Sequence, residues 1–206
     1  MYRADLDAVP DFAAAAMDRA ASLRLATPAL RRRLLRGRAL AREVLSRYVG
    51  VPGPDLVIDR TCPECGEQHG KPSLAAPPPY FSVSRSGRTF VMAVATSPVG
   101  VDIERLRRMD FAGIAAKEFS PAEAAHVVAL SGHRQADAFA RLWVRKEAMG
   151  KAIGSGLTPQ VLRTDVLGAP GRAGEWTLID LDLGPRLRAA LAVGPANPKV
   201  RITELA

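Results

Sequence analysis

The sequence predicts an α+β fold, and three observations lead there. Helical and extended patterns are mixed, without the regular βαβ alternation of a doubly wound parallel sheet. Stretches such as PVGVDIERLRR (98–108) alternate apolar and polar residues at a period of two. The stretch from about Arg134 to Ile153 instead carries apolar residues at helical spacing and stops at GSG. No repeat, coiled coil or low-complexity tract interrupts this mixture. At 206 residues the chain suits one compact domain, or two small halves packed as one.

The elements read in order as follows. Residues 11–49 are helical, with a break at Thr27–Pro28, where Thr27 caps and Pro28 occupies the first turn. The second of these helices carries Arg31, Arg32, Arg33, Arg36, Arg38 and Arg42, with Leu34, Leu35, Leu45 and Val49 turned to a core. Arg38 and Arg42, four apart, share a face that is either a solvated basic surface or an anion site. DLVID (55–59) reads as a short strand, and the loop RTCPECGEQHGKPSLAAPPPY (60–80) is dense in Pro and Gly. YFSVS (80–84) and TFVMAVAT (89–96) read as strands around a turn at RSGR (85–88). After the VGVDIE strand, FSPAEAAHV (119–127) opens a helix with Ser120 as cap, Pro121 at the first position and Glu123 closing a capping box. The long helix follows. EWTLIDLDL (175–183), LRAALAVG (187–194) and KVRITEL (199–205) read as strands.

Composition bounds the function. The net charge is +8, which points to an anionic partner: a nucleic acid, a phosphorylated small molecule or an acidic protein. Aromatics are only 5%, which speaks against a stacking platform for nucleic acid. No apolar run reaches the roughly 20 residues of a membrane span. The start of the chain lacks a signal pattern, so a cytoplasmic location is expected. Two cysteines cannot build a disulfide framework. With 24 arginines and only 5 lysines, each Lys draws notice, and Lys71, Lys146 and Lys151 all fall in the richest segments.

Those segments hold the chemistry. Asp102 and Glu104 share one face of their strand, roughly 6 to 7 Å apart. They are either a metal cradle or an exposed acidic edge paired with Arg105, Arg107 and Arg108. In the long helix Phe139, Leu142, Trp143, Met149, Gly150 and Ile153 share an arc with Lys146 near its middle. A lysine there needs a partner, a water route or a path to the surface. Glu147 and Lys151 lie along the edge of that arc. They form either an i,i+4 surface pair or, with Asp102 and Glu104, a site that suits Mg²⁺ and a polyphosphate.

VGVDIE, followed some forty residues later by WVRKEAMGK, resembles the 4′-phosphopantetheinyl transferases, in the W/KEA branch of their larger, monomeric Sfp-type class. GKPSL (70–74) and YFSVSRSG (80–87) resemble two further motifs of that family, in the family's order. The resemblance covers residues 70–157, and more weakly the arginine-rich helix. It implies two similar α+β halves related by a pseudo-twofold, residues 1–97 and 98–206, joined near Thr96 to Pro98, with coenzyme A between them. It implies that Asp102, Glu104 and Glu147 hold Mg²⁺. Lys151 would bind phosphate and assist the leaving group, and Lys146, the first lysine of the signature, is grouped with it among the residues that bind coenzyme A. Lys71, Ser84 and Arg85 match coenzyme A contacts, and Arg38 falls near the nucleotide's 3′-phosphate. Arg85 stands where many relatives have His, so tight phosphate binding with less pH dependence is expected there. The implied reaction moves phosphopantetheine from coenzyme A to a serine of an acidic acyl or peptidyl carrier protein and releases adenosine 3′,5′-bisphosphate. Glu147, directly or through water, is the candidate base.

Two other classes compete. A non-enzymatic polyanion-binding or nucleic-acid-binding protein would rest on the basic helix and the high pI. A zinc-dependent module would rest on Cys62, Cys65 and His69, a C-x-x-C-x-x-x-H spacing that still wants a fourth ligand. A reduced tight turn presenting HGKP explains the same residues without metal.

Overall fold

The computed structural model describes residues 1–11, 16–106, 109–195 and 198–205. Eight strands form two four-stranded sheets. The first sheet has the order β2 (Tyr80–Ser86), β3 (Thr89–Ala95), β1 (Tyr2–Asp5), β8 (Thr203–Leu205). The second has the order β4 (Val99–Arg105), β7 (Leu187–Val193), β6 (Trp176–Leu181), β5 (Gly171–Ala173). Helices α1 (Ala16–Ser22) and α2 (Pro28–Val49) follow β1. Helices α3 (Phe111–Glu118), α4 (Pro121–Val128), α5 (Gly132–Ile153) and α6 (Pro159–Arg163) follow β4. The fold is mixed α+β, as expected.

The connectivity repeats. In each half a first strand leads into helices and then into an antiparallel hairpin, whose second strand pairs with the first strand: β3 with β1, and β7 with β4. The tail crosses back, since β8 pairs in parallel with β1. The last residues therefore complete the first sheet.

Alternation along the strands assigns each side chain to a layer. On β3, Phe90 and Met92 meet Leu40, Val44 and Leu45 of α2, while Val91 and Ala93 face the second sheet. On β7, Leu191 and Val193 face the first sheet, while Ala190 and Ala192 lie under α5. The layers run α2, first sheet, second sheet, α5. Val99, Val101 and Ile103 fill the seam between the sheets, and Gly100, Asp102 and Glu104 are left on the α5 side.

The edge strands β2 and β4 meet through serines. The outward N–H groups of Val101, Ile103 and Arg105 donate to the hydroxyls of Ser82, Ser84 and Ser86 at 3.1, 3.4 and 3.0 Å. The spacing S-x-S-x-S on β2 thus matches the period of the β4 edge, and side chains replace a backbone ladder.

Helix α5 lies against the backbone of β4 because residue 100 is glycine. A Cβ there would sit 1.9 Å from the carbonyl oxygen of Ala148 and 2.4 Å from the nitrogen of Ala152. Gly100→Ala is expected to lower the unfolding free energy by about 1–3 kcal/mol or more. A denaturation midpoint equal to the parent's would contradict this contact.

The caps follow expectation. Thr27 accepts from Leu30 N, Ser120 and Glu123 form a capping box, and Gly154 ends α5 in the left-handed region. Four elements escaped the sequence reading: β1, α3, β5 and α6. DLVID is not a strand; it makes one bridge, Asp59 to Ser73, and Val57 is 79% exposed. Pro54 beside it and Pro72 across from it lack the N–H groups a ladder requires. Ile153, placed on the apolar arc of α5, is exposed instead. Part of the predicted first helix (12–15), together with Arg107 and Arg108, lies outside the described residues.

Candidate active site

The close crossing of α5 over β4 brings Glu147 and Lys151 to Asp102. Lys151 Nζ lies 2.6 Å from Asp102 Oδ1 and donates to Ser84 Oγ at 3.2 Å, and Ser84 Oγ donates to Asp102 Oδ1 at 2.8 Å. Asp102 is buried, so the reading of β4 as an exposed acidic edge fails. Lys151 pairs across to the strand and not to Glu147, so the i,i+4 surface pair fails as well. Ser86 Oγ reaches Glu104 Oε2 at 3.5 Å. Burial raises the Glu147 carboxyl above the usual glutamate range; Asp102 and Glu104 add to the rise and Lys151 opposes it. Asp102, Glu104 and Lys151 thus all share the electrostatic neighbourhood of Glu147.

Asp102 Oδ2 tests whether a cation fits. It is buried and has no hydrogen-bond partner among the described residues. A buried carboxylate oxygen without a donor is costly. A hard divalent cation, which takes oxygen ligands and keeps waters, would supply what that atom lacks, with Glu104 and Glu147 beside it.

The site opens into a cleft of about 630 Å³. Glu147, Gly150 and Lys151 of α5 form one wall, and the loop at His69, Gly70 and Lys71 forms another. Lys71 Nζ donates to Ala152 O at 2.6 Å, and burial pulls its ammonium below the usual lysine range.

A second positive centre lies on the α2 side of the first sheet. Arg38 and Arg42 both bind Asp18, at 2.9 and 3.1 Å. Burial, with the charges of Arg38, Arg42 and Arg85, pushes Arg60 down to about 10, still cationic at neutral pH. Arg85 keeps part of its surface in solvent, yet burial and then Arg38 lower its guanidinium too. Four guanidiniums therefore share the neighbourhood of one buried carboxylate. Arg60 and Asp18 were missed in the sequence; no local pattern marks either, because the cluster is assembled from α1, α2, β2 and a loop. The remaining basic face of α2 is largely neutralised: Arg33 pairs with Asp7, Arg36 with Asp11 and Arg47 with Glu43.

Lys146 requires a correction. It was grouped with the coenzyme contacts, but its ammonium points into the core. Nζ lies 2.8 Å from Glu123 Oε2, donates to Thr164 O at 2.6 Å and sits 5.0 Å from the centre of the Phe119 ring. The side chains of Lys146 and Glu123 are both fully buried. Glu123 also accepts from Ser120 N and Val166 N, so every partner in this network is satisfied. Phe119, Phe139 and Trp143 stack in series beside it, at 5.2 and 5.7 Å. Arg145, which the sequence reading passed over, is likewise structural: it holds Asp180 at 2.9 and 2.7 Å and Val166 O at 3.0 Å.

The family model described as the 4′-phosphopantetheinyl transferase superfamily matches residues 98–192. The chain is 33% identical to the 4′-phosphopantetheinyl transferase AcpT of Escherichia coli over 168 residues, which cover 80% of this chain and 79% of that one. It is 30% identical to the 4′-phosphopantetheinyl transferase HetI of Nostoc over 178 residues, 81% of this chain and 72% of that one. It is 32% identical to Sfp of Bacillus subtilis over 127 residues, 61% of this chain and 54% of that one. The chain belongs to the 4′-phosphopantetheinyl transferase superfamily. Its matches span about half the length of the Bacillus relatives. Among the described residues, no helix is long and apolar enough to cross a membrane.

Proposed function

We propose that the chain transfers the 4′-phosphopantetheine arm of coenzyme A to a serine hydroxyl of an acidic acyl or peptidyl carrier protein. The observation that carries this reading is the buried Asp102 carboxylate, whose Oδ2 has no hydrogen-bond partner among the described residues, set beside Glu147 and Lys151 at a cleft that also presents Lys71. Asp102, Glu104 and Glu147 would hold Mg²⁺. When bound, the ion neutralises pyrophosphate charge and favours in-line displacement.

The chain's own residues do the rest. Lys71 and Lys151 bind phosphate oxygens. Ser84 orients Asp102 and Lys151 through its two hydrogen bonds. The cluster of Arg38, Arg60 and Arg85 receives the 3′-phosphate, whose charge relieves the repulsion among these guanidiniums. Glu147 takes the serine proton, directly or through water. The hydroxyl oxygen bonds to the phosphorus that carries the pantetheine arm, and the bond to the adenosine-side phosphate oxygen breaks. Lys151 offsets charge on the departing adenosine 3′,5′-bisphosphate. The net positive charge favours encounter with an acidic carrier. The polyanion-binding alternative loses support, since most of the α2 arginines face acids.

Titration calorimetry of coenzyme A with and without Mg²⁺ tests the site. Binding that strengthens with Mg²⁺ is expected, and an affinity indifferent to Mg²⁺ would contradict the assignment. Arg85→Ala should weaken coenzyme A binding about tenfold or more, the loss of one charge-assisted phosphate contact. An unchanged affinity would remove Arg85 from the site.

Mg²⁺ binding should also depend on pH. The raised Glu147 carboxyl is protonated at higher pH than an ordinary glutamate, and the ion requires it ionised. Mg²⁺ affinity therefore falls as the pH drops through that raised value, and binding there releases a proton. Calorimetry in two buffers of different ionisation enthalpy reads the release. No buffer dependence across the acidic range would contradict the role of Glu147.

A further inference from the structure

We propose that Cys62, Cys65 and His69 bind one Zn²⁺ ion, with water as the fourth ligand, and that the ion fixes the loop that carries Lys71 to the cleft. The three side chains offer two sulfurs and an imidazole nitrogen, all within 4.8 Å of one another. Cys65 Sγ lies 3.0 Å from His69 Nε2. The ligand atoms of a loaded tetrahedral site with thiolate and imidazole bonds stand about 3.6 Å apart, so small side-chain rotations close the set. Both cysteines are free thiols.

The backbone around them is already folded as a metal knuckle would require. Gly66 N donates to Cys62 O at 2.9 Å, Cys62 N donates to Glu67 O at 2.8 Å and His69 N donates to Glu67 O at 3.0 Å. Gly66 takes a φ of +76°, which a side chain would oppose. The backbone amides of Glu64 and Cys65 are turned toward the Cys62 sulfur. Two thiolates with an imidazole select zinc over the hard cations that suit the carboxylate site.

The loop has reason to be stapled. Between the Asp59–Ser73 bridge it carries no strand or helix. Yet it supplies Arg60 at one end, Lys71 at the other and the lining of the cleft between. Its closure rests on few backbone bonds, among them Gly70 N to Arg60 O at 2.7 Å. A metal held by three loop side chains would convert this into a fixed wall at the cost of two thiol protons released on binding.

The test uses the full-length reduced protein. Metal analysis after exchange into metal-free buffer should find one zinc per chain. Cobalt(II) added to the stripped protein should produce thiolate-to-metal charge transfer and intense tetrahedral ligand-field bands. Cys62→Ser and Cys65→Ser should lose the zinc and the charge transfer, and His69→Ala should lose the tetrahedral bands, while far-ultraviolet circular dichroism stays that of the parent. A glutamate-specific endoproteinase should cut after Glu67, inside the loop, faster in Cys65→Ser and in the chelated parent. Zinc well below one per chain together with no cobalt charge transfer would overturn the site, and a Cys62–Cys65 disulfide in that metal-free protein would assign the pair to redox chemistry instead. Metal binding with unchanged cleavage after Glu67 would overturn the loop-fixing role.

Discussion

Asp102→Asn and Glu147→Gln are each expected to lower kcat/KM for phosphopantetheine transfer by about 10²–10⁴-fold, while leaving the protein folded. Asp102 is the innermost carboxylate, and its Oδ1 already holds Lys151 and Ser84. Neutralising it frees Lys151 but leaves the hydrogen-bonding shape in place. The orphan oxygen Oδ2 makes the parent carboxylate costly to bury without a cation. The melting temperature of metal-free Asp102→Asn should therefore lie within a few degrees of the parent's. Glu147 is half-buried and lines the cleft, so its amide fits the same space. Steady-state transfer assays and thermal melts on the purified variants separate the two effects. Full activity in either folded variant would end the metal-cradle assignment.

Lys146→Met is expected to act on stability. Removing the ammonium leaves Glu123 fully buried beside an apolar side chain, a loss of about 3–5 kcal/mol. For a chain of this size the melting temperature should fall by on the order of 10 °C. Adding Glu123→Gln should recover part of the loss, because the amide needs no counter-charge, so the double variant costs less than the two single changes combined. Below its melting temperature Lys146→Met should bind coenzyme A as the parent does. A normal melt with a lost coenzyme A affinity would return Lys146 to the cleft.

How much of this was legible beforehand depended on whether the determinant was local. Period-two alternation marked β4, short extended runs between turn residues marked β2, β3, β6 and β7, and caps at Thr27, Ser120 and Gly154 marked helix ends, because each signal sits in its own segment. The odd position of Lys146 was visible on the helix, but its partner Glu123 lies on α4, the preceding helix, and 23 residues back in sequence, so only the need for a partner could be read. Ser84 of YFSVSRS matches a ligand contact; the alignment of Ser82, Ser84 and Ser86 with the edge of β4 depends on sheet packing. β1 and β5 are 4 and 3 residues long, too short to show alternation. Arg60 carries no motif, and its meaning comes from Arg38, Arg42 and Arg85 around it. The pairing of Lys151 with Asp102 and not Glu147 follows from Gly100, which lets α5 settle on the strand.

The central claim is that the seam between the halves performs phosphopantetheinyl transfer. The most direct measurement is intact-mass spectrometry of a panel of apo acyl and peptidyl carrier proteins, incubated with this chain, coenzyme A and Mg²⁺. The account predicts a mass gain of one phosphopantetheine on an acidic carrier, lost when Mg²⁺ is chelated and absent with Asp102→Asn. No gain on any carrier, together with coenzyme A binding indifferent to Mg²⁺, would contradict it.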